Sequence, residues 1–253
     1  YNADDKSIRK IADYPGGRVI IPVCFVIGTK AYVGLGNKAS PQKFWSYDAN
    51  ADRWVEIADC PFEVYSLDWA NNVNRAFSFV KGNDAFVGNT LREFYKYSAT
   101  ANTWIACKPS SNIYLGNINV GFTAGNNCFV VSGNNISISE YSPVNDVWQN
   151  HGSREYNYIK SMYDATYIEK LKKLIFNGYR MYRSEYSGLQ YFDPETNQIE
   201  FFFPAMSNAV NLFSTDVGRL FSMHFDTSTN KQLIYQLNFN TYEQIKSLIY
   251  GNE

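Results

Sequence analysis

Apolar residues along this chain fall in short runs that alternate with polar positions at a period of two, the spacing of half-buried β-strands. Val23-Cys-Phe-Val-Ile27 and Phe77-Ser-Phe-Val80 are two such runs, and each leads into a turn signal, Gly28-Thr-Lys30 and Gly82-Asn-Asp84. A second run then ends on a small residue: Ala31-Tyr-Val-Gly34, Ala85-Phe-Val-Gly88, Phe129-Val-Val-Ser-Gly133, Leu174-Ile-Phe-Asn-Gly178 and Leu220-Phe-Ser222. Third and fourth runs flank a polar turn. Tyr47 and Trp54, Tyr97 and Trp104, and Tyr141 and Trp148 each stand seven positions apart, with small, Asp, Asn and Pro residues between them. Asp and Asn hydrogen-bond to turn backbone and Pro presets φ, so each segment reads as strand, turn, strand. Helical periodicity is nearly absent. The stretch from Glu169 to Leu174 reads better as a hairpin, and the basic cluster Lys170 to Lys173 as its solvated turn.

These units repeat. Phe192 and Ile199 keep the seven-residue spacing with Ile in place of Trp, Tyr1 and Ile8 show it at the start, and a worn copy runs from Leu237 to Ile245. The leading anchors at 1, 47, 97, 141, 192 and 237 give a period of 44 to 51 residues, the signature of an array whose units cannot bury both faces alone. Four short strands per unit is the grammar of a propeller blade. Complete four-strand units are expected at about 17–61, 74–110, 118–153, 161–206 and 211–251, while residues 1–15 match only the outer two strands of another, as if the chain began in mid-repeat. An open edge strand leaves backbone groups unpaired. The expected fold is therefore a single all-β domain over residues 1–253, a propeller of four-stranded blades numbering six. Five blades with a stray hairpin is the alternative.

The pattern resembles kelch repeats, in which a strand ending in glycine is followed by a Tyr-Asp turn and then Trp. Trp54-Val-Glu-Ile-Ala-Asp-Cys-Pro61 resembles the outer strand of bacterial kelch repeats, and Arg9-Lys-Ile-Ala-Asp-Tyr-Pro15 echoes it. The resemblance is strongest over residues 1–148 and fades after 190. Two departures stand out: the family's diglycine is reduced to one Gly, and the later repeats lose the Trp.

Composition narrows the function classes. The chain is 45% hydrophobic and 17% aromatic, enough for a sizeable core, and its formal charge of −1 gives no electrostatic case for nucleic acid or anionic membrane. No apolar stretch approaches the length of a membrane helix, and no signal peptide is seen. Cys24, Cys60, Cys107 and Cys128 lack metal-site spacing and read as buried free thiols, with only His151 and His224 as imidazoles. No phosphate loop, nucleophile elbow or zinc-protease motif appears, and no cofactor is implied. The resemblance admits copper oxidases and sialic-acid epimerases. Two scattered His do not map onto a copper site, and Glu155 and Glu185 are the nearest candidates for an epimerase base beside an Arg.

The recurring Tyr and Trp read as inter-blade packing, so function is sought where the repeat is irregular. In a four-stranded blade the loop from second to third strand and the connector to the next blade share one face. That face collects Arg18, Trp69, Arg75, Tyr114 and Tyr158, and the loop Tyr179 to Ser187 adds Arg180, Tyr182 and Arg183. Kelch proteins often present Arg at blade entry, which is where Arg18 and Arg75 stand. Aromatic rings and Arg supply binding energy at low entropic cost. The expected function is a non-catalytic binding scaffold for a glycan or a protein partner, on the surface or in the periplasm of a bacterium. A sugar epimerase or lyase acting in the central pocket is the alternative.

Overall fold

A computed structural model describes residues 7, 9–19, 22–37, 39–63, 76–89, 93–110, 119–132, 137–153, 161–169, 171–179, 188–196, 198–204, 211–214, 220–226 and 231–237. Strands account for all the regular structure among them. They are β1 (Val23–Ile27), β2 (Lys30–Gly34), β3 (Phe44–Asp48), β4 (Arg53–Glu56), β5 (Ala76–Lys81), β6 (Asp84–Asn89), β7 (Phe94–Ser98) and β8 (Thr103–Ala106). The second half adds β9 (Asn119–Ala124), β10 (Asn127–Ser132), β11 (Ser137–Ser142), β12 (Val147–Ser153), β13 (Ser161–Ile168), β14 (Lys173–Tyr179), β15 (Gly188–Asp193) and β16 (Gln198–Pro204). Three more close the described chain: β17 (Asn211–Ser214), β18 (Leu220–Asp226) and β19 (Lys231–Leu237). They form antiparallel meanders in sequence order, four with four strands and a last one with three. Among the described residues no helix is long and apolar enough to cross a membrane.

The first hairpin of each of the first three sheets closes through two residues, with Gly28, Gly82 and Gly125 at φ of 58°, 62° and 56°. A left-handed first position followed by an ordinary second one is the type II′ turn that matches strand twist. The hairpin of the fourth sheet is longer, with Ile168 paired to Lys173 across Glu169 to Lys172.

The chain divides into two compact units, residues 1–111 and 112–253. In the first, β1 lies against β5. Alternation puts Val23, Phe25, Ile27, Tyr32 and Phe44 on one face of the first sheet, in one core with Ala85, Val87 and Tyr97 of the second. In the second unit β13 lies against both β9 and β17. There Phe122, Phe129, Val131 and Ile138 of the third sheet share a core with Leu174, Phe176 and Phe192 of the fourth. Meanders packed inner strand to inner strand are propeller blades.

The recurring turn is a clamp. Tyr47, Tyr97 and Tyr141 are buried, and each hydroxyl donates to a carbonyl or carboxylate oxygen five residues on, in Asp52, Asn102 and Asp146. Those three residues sit at φ of 46°, 52° and 49°, a left-handed region that Asp and Asn tolerate better than most side chains. The same Asn102 oxygen accepts the Ala58 N–H at 3.0 Å from the preceding blade's tail, and Trp104 Nε1 donates to the Ala58 carbonyl at 2.9 Å. One Asn, one Tyr and one Trp thus hold a blade to its predecessor.

Two expectations are corrected here. Residues 9–15 form no strand; they run as a strap, with Ala12 taking the place of Ala58. The Ala12 N–H donates to Asp52 at 3.0 Å, Trp54 Nε1 donates to the Ala12 carbonyl at 3.0 Å, and Tyr14 packs edge-on against Trp54. The sequence there predicts outer strands, but what it shares with the segment around Ala58 is docking onto the next blade's Trp. The described residues accordingly show no sixth sheet, and the fourth strand expected near the end of the fifth unit lies outside them. The cysteines are also only partly as expected. All four are free and Cys60 and Cys128 are buried, but Cys24 is exposed and Cys107 half-buried. Cys24 projects from β1 on the side opposite Val23 and Phe25. Cys107 is the counterpart of Ile57, since their N–H groups donate to the Phe94 and Phe44 carbonyls at equivalent positions.

The first clamp differs from the second in carrying a titratable Asp. The Tyr47 hydroxyl, then the Ala12 N–H, hold the Asp52 carboxyl below the usual carboxylate range. A lowered folded-state pKa contributes stability above the unfolded value, and that contribution is lost as pH falls through the folded one. Acidification below the ordinary carboxylate range should therefore lower the hydrogen-exchange protection factor of the Ala12 amide and leave that of Ala58, bonded to Asn102, unchanged.

Candidate functional site

In every four-stranded sheet the turns joining first to second and third to fourth strands emerge at one end, the turn end. The second-to-third loops and the connectors between blades emerge at the other, the loop end. Turn-end backbone is satisfied locally: Asp48 accepts from the Asn50 and Ala51 N–H groups at 3.0 and 3.1 Å, and Asp193 accepts from Glu195 at 2.9 Å.

The loop end carries Arg18, the one candidate ligand residue among the described residues. Arg18 is exposed, just after a Gly16-Gly17 turn in which Gly17 has φ 70°. The Asn37 side-chain amide donates to the Gly16 carbonyl and its oxygen accepts the Ala39 N–H at 2.9 Å, tying the entry segment to the β2–β3 loop. Blade entry and within-blade loop therefore do share one end. Trp69, Arg75, Tyr114, Tyr158, Arg180, Tyr182 and Arg183 lie outside the described residues, as do Glu155 and Glu185. The strands that flank the last three pair at this end, with Gly178 opposite Gly188.

Ionisable clusters are few. His151 lies in β12 and is half-buried, its Nε2 2.6 Å from Glu140 Oε2. Among the described residues no group of three or more His, Cys, Asp and Glu is placed to hold a metal ion. Lys43 bridges Glu56 and Asp59, which fastens the β2–β3 loop to the tail of β4.

A concavity of about 230 Å³ opens at the turn end between the third and fourth sheets, inside the second unit. Ala124 and Phe129 line one side, and Tyr167, Glu169, Lys172 and Glu195 the other. The Tyr167 ring stacks on Phe122 with centroids 5.0 Å apart and planes 21° apart. Burial pushes the Tyr167 phenol up to about 12, with Glu169, Glu195 and Asp193 adding to the shift, so it stays protonated at neutral pH. Lys172 Nζ lies 3.1 Å from Glu195 Oε1, and Lys173 pairs with Asp193. The cleft carries no sequence signal, because the residues that line it belong to the short turns and strands of the repeat.

No family model and no curated protein matches the chain. Among solved structures, that of YjhT is similar with a TM-score of 0.57, over 87% of this chain and 77% of that one, at 14% identity. Likeness at that identity carries the fold and nothing of the activity, because one fold hosts many functions. Four-stranded antiparallel blades in a propeller arrangement are the architecture of this all-β chain.

Proposed function

We propose that this chain is a non-catalytic binding scaffold of kelch-like repeats, acting outside the bacterial cytoplasm on a glycan or a protein partner. The observation that supports it most is the contrast between the two ends of the blades. Turn-end backbone is closed on itself by the side chains of Asp48, Ser98 and Asp193, whereas the loop end presents Arg18, exposed and without an ion-pair partner among the described residues. An unpaired guanidinium offers bidentate, charge-assisted hydrogen bonds to a carboxylate of either ligand class. Trp69, Arg75, Tyr114, Tyr158, Arg180, Tyr182 and Arg183 extend the same surface in this reading, with rings to stack on sugar or fill a partner's pockets.

The labelled chain is to be read on a glycan array and on an array of bacterial and host cell-surface proteins. Tyr182→Ala with Arg183→Ala should lower the retained signal tenfold or more, about 1.4 kcal/mol. Asn50→Ala with Thr100→Ala, exposed at the turn end, should leave it unchanged. No retained glycan or protein, or the opposite ordering of the two variants, would overturn the proposal.

A further inference from the structure

We propose that the turn-end cleft between the third and fourth sheets is a second binding site, shaped for one neutral, hydroxyl-rich ring such as a hexose. The argument starts from how the repeat departs from itself there. Ile27 and Ala124 both stand just before the first hairpin turn of their sheets, paired to Lys30 and Asn127. Val80 and Tyr167 are likewise equivalent, paired to Ala85 and Leu174. In the first unit Ile27 is buried, and Val80 and Ala99 pack on the same core, so the location is filled. In the second unit Ala124 removes most of that volume and Tyr167 puts a ring where Val80 would be.

Backbone bonding changes in the same sense. The Ala99 N–H donates to the Asn83 carbonyl at 3.5 Å, drawing turn and hairpin together across the second sheet. Pro194 follows β15 as Ala99 follows β7, and proline has no N–H to donate. The facing hairpin is also longer, at Glu169 to Lys172. Ala124, Pro194 and the longer hairpin thus leave a space where the first unit is filled, and Tyr167 walls it.

Its chemistry selects the ligand class. About 230 Å³ is smaller than a drug-sized pocket and suits a single ring. Phe129 and Tyr167 give it aromatic walls, against which the apolar face of a ring packs. Lys172 pairs with Glu195 and Lys173 with Asp193, so Glu169 is the lining charge these pairs leave unbalanced, and it disfavours an anion. Glu169 and Glu195 line the cleft. Their oxygens accept from hydroxyl groups, while the Lys172 ammonium and the Asn127 amide donate.

Saturation-transfer NMR with glucose, galactose, mannose and N-acetylglucosamine tests this, with glucuronate and choline as charged counterparts. At least one neutral sugar should receive saturation, with an affinity in the millimolar range. Ala124→Ile, which restores the filler of the first unit, should weaken that binding tenfold or more without lowering the melting temperature. Glu169→Gln, an exposed turn change that leaves folding untouched, should weaken it severalfold and serves if Ile is not accommodated. The paired Tyr182 and Arg183 variant should leave it intact, which separates this site from the loop end. Lack of saturation on every neutral sugar, preference for choline or glucuronate, or retention of binding by both Ala124→Ile and Glu169→Gln would overturn the proposal.

Discussion

Replacing Trp104 with Ala is expected to lower the unfolding free energy by about 3 kcal/mol, the low end of the usual cost of deleting a core Trp. The low end applies because the side chain is half-buried rather than enclosed. Its contacts are nonetheless specific. The ring packs on Tyr97 of its own blade with centroids 4.9 Å apart and on Phe44 of the preceding blade at 5.4 Å. Such aromatic pairs contribute about 0.5–1.5 kcal/mol each beyond area burial. The indole N–H adds a bond to the Ala58 carbonyl at 2.9 Å, and a typical hydrogen bond contributes about 1 kcal/mol. Trp104→Phe keeps most of the ring contact and loses that bond, so it should cost about 1 kcal/mol. Urea unfolding followed by circular dichroism checks both. A Trp104→Ala loss below about 1 kcal/mol would mean that the ring does not hold the first two blades together.

The blades were legible in the sequence because repetition compounds weak local signals. A single Tyr-to-Trp turn is ambiguous, but its recurrence places the third and fourth strands of the first four four-strand repeats to within a few residues. What escaped was what each residue does to its neighbour. Asp52, Asn102 and Asp146 are visible as turn formers, yet a turn signal shows neither the Tyr hydroxyl each accepts nor the Ala12 and Ala58 N–H groups that Asp52 and Asn102 also receive. Arg9 to Pro15 matches Val55 to Pro61 in sequence, which predicts a strand there. The match instead reflects the shared task of receiving a Trp N–H, which Ala12 and Ala58 both perform. Cys24 was misjudged because an apolar run shows which positions alternate but not which face a neighbour covers. At the loop end only Arg18 among the eight candidate residues lies within the described chain. The cleft was invisible for a different reason: Ala124, Tyr167 and Pro194 are ordinary residues, and only superposing the repeat on the fold shows what they replace.

Gly34→Ala is expected to destabilise by about 3 kcal/mol, the upper end of ordinary overpacking costs. Gly34 sits directly opposite Phe44 in the register of the first sheet. A Cβ added there would stand 2.3 Å from Phe44 Cγ and 2.4 and 2.5 Å from its two Cδ atoms, well inside contact distance. Those atoms are at the root of the ring, so a change of rotamer tip does not relieve the clash. Phe44 is itself fully buried, 5.8 Å from Phe25 and 5.4 Å from Trp104, so moving it disturbs the core between the first two blades. The requirement is for space and not for an unusual backbone. Gly28 provides the contrast, with φ of 58° and nothing within 4 Å of an added Cβ. Gly28→Ala meets only backbone strain and should cost about 1 kcal/mol. Shrinking the partner separates the two causes. Phe44→Leu alone leaves a void, but in the Gly34→Ala background it also removes the ring that clashes. The double variant should then lose at least about 1 kcal/mol less than the sum of the single losses. Strict additivity in that cycle, or a Gly34→Ala cost no larger than that of Gly28→Ala, would show that the repeat's glycine serves something other than the close approach of a Phe ring.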